Sequence, residues 1–162
     1  MFLEVSDLSD LIDVSEKNYT YTEMLQEAKL STYLADNFAE WVPEMPEGVP
    51  PDDILIPHEH TLYRLTKGTN ISEEDLVTYY EIDPNKDWGD KLSEAYAVSM
   101  YDDLDKTAKL TKIASLKKSK GVSAFVLNPK DGVVKQTSKS YHYSWWKTNN
   151  VELNSAKTVL EL

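Results

Sequence analysis

Apolar and polar positions are most sharply organised between residues 121 and 148 (GVSAFVLNPKDGVVKQTSKSYHYSWWKT). Two β-branched and apolar runs flank an Asn-Pro-Lys-Asp-Gly turn, and a run of large rings follows at Tyr141, Tyr143, Trp145 and Trp146. Period-two spacing around such a turn predicts a hairpin. On a strand, Tyr141, Tyr143 and Trp145 share one face, and His142, Ser144 and Trp146 the other. One of those faces is expected to be core, because four large rings are the best filling the chain has.

The rest of the chain is less regular. Residues 1–18 alternate apolar and acidic positions without a settled period and fit a strand, a short helix or a docking arm equally. Thr20 and Glu23 have capping-box spacing, and Met24, Leu25, Ala28, Leu34, Phe38 and Trp41 follow at three- and four-residue steps, predicting a helix over 20–41. Residues 42–53 (VPEMPEGVPPDD) hold four of the seven prolines, so they are expected to be an extended strap. Strands are predicted at 54–56 and 60–66, the second with Leu62 and Arg64 on one face. LVTYYEI (76–82) reads as a strand by residue type, although Ser72 and Asp75 can also begin a helical turn. A loop is expected at 83–90 and a short strand at 95–101. Asp102 or Asp103 offers an N-cap for a helix over 102–118, whose lysine-rich end and Gly121 stop suit the helix dipole. Residues 151–162 fit a closing strand or a short helix.

These elements predict a single α+β domain. A mixed or mainly antiparallel sheet is packed by one helix in residues 54–162, and residues 1–53 form a helical segment and strap. At 162 residues the chain can bury roughly 70% of its unfolded surface without a metal or disulfide staple. It has no cysteine, which excludes disulfides, thiolate metal sites and a cysteine nucleophile. No apolar run approaches the roughly 20 residues of a membrane helix, and the first residues lack a signal-peptide pattern. The protein is expected to be soluble and cytoplasmic.

Charge changes the picture more than composition does. Of the net −11, residues 1–105 contribute −19 and residues 106–162 contribute +8. An acidic surface disfavours nucleic acid and suits a basic protein surface.

Candidate chemistry is sparse. His58 and His60, two apart, would share a strand face and could chelate a metal, but with one further histidine in the chain they are expected to be half-exposed edge residues. Arg64, the only arginine, sits mid-strand beside Tyr63 and either pairs with a carboxylate or holds an anion in a cleft. The aromatic run at 141–146 lies beside Lys139 and Lys147, an arrangement that suits base stacking, yet the overall charge opposes nucleic acid. Tyr143, Trp145 and Trp146 are better placed as anchors for a partner protein. No Gly-rich phosphate loop, dinucleotide fingerprint or nucleophile elbow is present.

Three stretches, HTLYRLTKG (60–68), AYAVSMYDDLDKTAKL (95–110) and GVSAFVLNPKDG (121–132), together resemble the ADP-ribosyltransferase fold. The resemblance covers about half the chain. It implies that Arg64 holds the phosphates of NAD, that Ser99 supports the nicotinamide pocket, and that a later glutamate is catalytic. Val98-Ser99-Met100 stands where that family has Ser-Thr-Ser, and no Glu-x-Glu or Gln-x-Glu follows. After residue 105 the acids are Asp131, Glu152 and Glu161.

The leading expectation is therefore a non-enzymatic acidic binding protein without a cofactor. It would dock on a basic, nucleic-acid-handling protein as small acidic phage-type inhibitors of host defence do, a comparison of charge and size. The alternative is an NAD-binding, ADP-ribosyltransferase-like enzyme, active or degenerate, with Arg64 and Ser99 in its site.

Overall fold

Six strands form one antiparallel sheet in the order β6-β7-β4-β3-β5-β8. The computed structural model describes residues 2–3, 40–137 and 141–162. In chain order the strands are β1 (Phe2–Leu3), β2 (Ile56–Pro57), β3 (His60–Thr66), β4 (Val98–Tyr101), β5 (Gly121–Leu127), β6 (Gly132–Gln136), β7 (His142–Lys147) and β8 (Lys157–Glu161). β1 and β2 pair separately. Among the described residues, three short helices, α1 (Tyr79–Ile82), α2 (Leu92–Ala95) and α3 (Leu104–Lys109), complete an α+β domain. Among the described residues no helix is long and apolar enough to cross a membrane. The helix expected over 20–41 lies almost wholly outside the described residues.

Both faces of the β6–β7 ribbon are core, not one. Val134, Tyr143 and Trp145 pack with Leu62, Val98, Met100, Phe125 and Leu127 on one side. Val133 and Trp146 pack with Val49, Ile54, Ile56, Tyr96 and Ala97 on the other. Period-two alternation sends neighbouring residues to opposite faces, so a consecutive Trp-Trp pair serves two clusters at once. Both indole N–H groups of this pair find a backbone carbonyl: Trp145 Nε1 donates to Asp131 O at 3.0 Å and Trp146 Nε1 to Ser93 O at 2.9 Å. The proline strap contributes Val49 to this core and joins the sheet, with Val42 N donating to Lys147 O at 3.0 Å.

Several expectations are corrected. The runs flanking the Asn-Pro-Lys-Asp-Gly turn do not pair with each other. β5 pairs with β3 and β8, and β6 pairs with β7. The turn itself redirects the chain. Pro129–Asp131 is a 3-10 turn closed by the Asp131 carboxylate on Asn128 N (2.8 Å), and its Lys130 and Asp131 carbonyls hold Thr148 and Trp145. Residues 76–82 are not a strand: Glu73–Leu76 is a 3-10 turn and α1 follows. Two capping boxes, Ser72 with Asp75 and Thr78 with Glu81, outweigh the β-propensity of the apolar run. The helix expected over 102–118 ends at Lys109, with Asp103 as its N-cap. It continues as two 3-10 turns separated by an extended Ile113. Thr107 and Thr111 hydroxyls bond back to Asp103 O (2.6 Å) and Ala108 O (2.9 Å), a competition that disfavours long helices. The strand predicted at 95–101 begins at Val98, and that at 54–56 is reduced to an isolated Leu55↔Val134 bridge and β2. The closing segment takes the strand alternative as β8.

A candidate anion-binding cleft between two diverging strands

β3 and β4 are neighbours, yet their register gives one partner pair, Tyr63↔Tyr101. Beyond it the strands part, and the Arg64 side chain fills the gap. Its Nη1 donates to Ser99 O at 2.6 Å across the opening, and its Nε donates to Asp75 O. Arg64 thus supplies β4 with a donor that a continuous ladder would have drawn from β3 backbone.

The guanidinium is partly buried and engaged by carbonyls rather than carboxylates. The ion pairs found among the described residues are Lys67–Glu74, Lys91–Glu94 and Lys135–Asp53, none of which includes Arg64. Asp75, 3% exposed, lies close enough to influence it, but its carboxylate is spent on the backbone N–H groups of Lys67 and Ser72, each at 2.9 Å. Burial pulls the Arg64 pKa below its ordinary value, while Tyr101, Asp75 and Tyr79 pull the other way. Burial likewise raises Tyr101, and the Arg64 charge opposes that rise.

Arg64, Lys67, Ser99 and Tyr101 line a cleft of about 560 Å³ whose far wall carries Lys118 and Lys120. A second pocket of about 340 Å³ shares Tyr79 and Ser99 with it and is lined by Trp88, His142 and Ser144. A smaller cavity of about 120 Å³ touches Arg64, Tyr79 and Ser99 as well. The second pocket has aromatic walls, with Tyr79 and Trp88 centroids 6.3 Å apart and Lys86 Nζ 4.4 Å above the Trp88 ring. Among the described residues the buried Trp88 Nε1 has no hydrogen-bond partner. On its floor, Thr137 Oγ1 lies 2.8 Å from His142 Nδ1 and 2.9 Å from Ser144 Oγ. Nδ1 is also 3.1 Å from the Thr137 carbonyl, which can only accept. Four cations and the Glu74 and Asp75 carboxylates line the first cavity, and rings, hydroxyls and an imidazole line the second.

The residues singled out from the sequence are distributed as follows. Arg64 and Ser99 meet. Tyr63 is half-buried opposite Ala124 and Tyr101 and lines neither cavity. Tyr143, Trp145 and Trp146 are core residues at 6%, 0% and 0% exposure, so none can act as a surface anchor. His58 lies in a bend, outside β3, and Glu59 between the two histidines has φ 47°, so His58 and His60 do not share a strand face. Among the described residues no group of three metal-ligating side chains is assembled. Of the late acids, Asp131 caps the turn before β6, and neither it nor Glu152 nor Glu161 lines either cavity. The carboxylates that do are earlier in the chain: Glu74 and Asp75 in the cleft, Asp87 and Glu94 in the second pocket. Lys118 and Lys120 were legible only as complements of a helix dipole. Tyr79 has a signal in the sequence, the Thr78–Glu81 capping box that turns it out of a strand, whereas Trp88 has none. Compared with known proteins, the chain matches no family model, no curated protein and no solved structure.

Proposed function

We propose that the chain binds a phosphate-bearing nucleotide of the NAD class, with its phosphates at Arg64 and its planar ring toward Tyr79 and Trp88. One observation carries the reading. A partly buried guanidinium, oriented by two backbone carbonyls and joined to no carboxylate, faces a cleft that also presents Lys67, Lys118 and Lys120. An unneutralised, preorganised guanidinium costs stability unless an anion completes it. The resemblance of residues 60–68, 95–110 and 121–132 to the ADP-ribosyltransferase fold implies the same ligand, with Arg64 on its phosphates and Ser99 at its nicotinamide pocket. The reading extends to binding; transfer chemistry would require a carboxylate other than the late ones.

Thermal melting with and without 1 mM NAD tests it, in wild type and in Arg64→Ala. A ligand at 100 times its Kd stabilises by about 2.7 kcal/mol. For a chain of this size that is a shift of about 5–10 °C. Lys118→Ala with Lys120→Ala, both at exposed positions, should reduce the shift without lowering the unliganded melting point. An unchanged shift in Arg64→Ala would remove Arg64 from the site, and no shift in wild type would remove the reading.

A second reading, docking on a basic nucleic-acid-handling protein, is favoured by a different observation. Beside the cleft, α1 exposes Tyr79 at 58% and Ile82 at 69%. Around them stand the exposed acids Glu73, Glu74, Glu81, Asp83, Asp87 and Asp90. Tyr79 and Ile82 would serve as anchors in place of Trp145 and Trp146, with the acids steering a basic partner. Such binding should weaken steeply with salt and fail in Ile82→Asp.

A further inference from the structure

Lys147 lies outside the cleft described above and has a setting unlike any exposed lysine. The residue is 8% exposed, and its Nζ donates to Val42 O at 2.8 Å. It is absent from every ion pair found among the described residues. It lines a separate cavity of about 360 Å³ walled by Leu76, Val77, Val151 and Leu153, with Glu81 at the same cavity. A buried amine beside an apolar wall, fixed by one carbonyl and in no ion pair with the Glu73 and Glu81 carboxylates of the same cavity, is a setting in which lysine serves as a nucleophile.

We propose that this cavity is a covalent binding site for a small carbonyl compound with an apolar tail, captured by Lys147 as an imine. The Nζ lone pair adds to the carbonyl carbon, and the proton lost by nitrogen passes to the carbonyl oxygen. The carbinolamine then expels that oxygen as water together with the nitrogen's remaining proton, leaving C=N with no change of oxidation state. Glu81 carries the protons: its Oε1 accepts from Thr78 N at 3.2 Å and Thr78 Oγ1 at 3.0 Å, which leaves Oε2 for exchange. The titratable groups that share the cavity with the amine are Glu81 on α1 and Glu73 on the preceding turn. Burial holds the Lys147 pKa below the ordinary lysine value despite the opposing Glu81 charge. A lowered pKa raises the share of free amine at neutral pH. The inference stands independently of nucleotide binding.

The test is reductive trapping. Full-length protein is exposed briefly at pH 7 to 3-methylbutanal with cyanoborohydride, and lysine adducts are quantified by peptide mapping, which also separates the α-amino group. The Lys147 peptide is expected to gain its adduct severalfold faster than any other lysine peptide. Lys147→Arg should lose that adduct while melting like wild type, and Glu81→Gln should slow its formation severalfold. Faster labelling of exposed lysines, or labelling of Lys147 only after unfolding in urea, would overturn the proposal. So would an equal rate in Glu81→Gln for the part assigned to Glu81.

Discussion

Replacing Gly132 with alanine tests whether the turn before β6 is as constrained as its geometry requires. Gly132 begins β6 at φ 123° and ψ −154°, a region closed to L-residues. A Cβ added there would stand 2.0 Å from Trp146 O, 3.0 Å from Trp146 C and 3.1 Å from Lys147 Cα. These are backbone atoms of the paired strand, so no side-chain rotation relieves the contact. Either the backbone adopts a strained conformation, at about 1–3 kcal/mol, or the Gly132↔Lys147 end of the ladder opens. Opening it loses hydrogen bonds of about 1 kcal/mol each and displaces the packed Trp146. We expect a total loss of about 3–5 kcal/mol, against the gain of about 0.4–1 kcal/mol that Gly→Ala brings at a compatible site. Gly48→Ala is the control, since Gly48 also has positive φ (78°) but nothing within 4 Å of an added Cβ. It should cost about 1 kcal/mol. Urea unfolding followed by tryptophan fluorescence, with unchanged m-values, measures both. A Gly132→Ala loss no larger than that of Gly48→Ala would refute the steric argument.

Two further outcomes follow from buried polar groups. Burial lowers the His60 pKa from 6.5 to about 4, so the unfolded chain binds its proton more readily than the fold does. The neutral ring's contribution is complete above pH 6.5 and is lost as pH falls from there toward about 4. Because the ring is only half-buried, the loss should be on the order of 1 kcal/mol. It is read as the wild type minus His60→Gln difference in urea titrations at stepped pH, and a difference that grows with rising acidity would contradict it. Trp146→Phe removes the indole donor to Ser93 O and should cost about 1–3 kcal/mol, whereas Tyr79→Ala on exposed α1 should change stability by under about 0.5 kcal/mol. Similar losses in the two variants would show that the Ser93 hydrogen bond carries little weight.

What the sequence disclosed, and what it withheld, divides along physical lines. Strands β3, β5 and β7 were readable because local alternation and β-branched or aromatic content report burial directly. Their order was not, because β5 and β6 are adjacent in sequence yet pair elsewhere, and the choice is made by Asp131 tying the turn to the far end of β7. The misreading of 76–82 has a definite cause: Leu76, Val77, Tyr79 and Tyr80 favour strand by type, but Asp75 and Glu81 each close a cap that fixes the backbone first. Ile113 failed differently. It continued the helical spacing, yet it is 51% exposed and has no core to reward that spacing. As for the candidate site, Arg64 and Ser99 were legible, and the second through resemblance alone. The pocket aromatics Tyr79 and Trp88 were hidden inside a misassigned strand and an expected loop.

The charge asymmetry takes on a local meaning once the chain is folded. Arg64 and Lys67 belong to the acidic half, whereas Lys118 and Lys120 belong to the basic half, and the cleft beside the β3–β4 gap is lined by all four. A protein of net charge −11 repels an anionic ligand at long range, but at physiological ionic strength that repulsion is screened beyond about 8 Å. Within the cleft, contacts of hydrogen-bond length at a partly buried guanidinium are screened far less, so local cations rather than net charge decide whether an anion is held. On the proposed reading, the acidic rim at α1 acts on the approach and the cleft on the bound state. Net acidity therefore weighs more against an extended polyanion than against a small one, whose fate in the cleft turns on the balance between these four cations and the Glu74 and Asp75 carboxylates beside them.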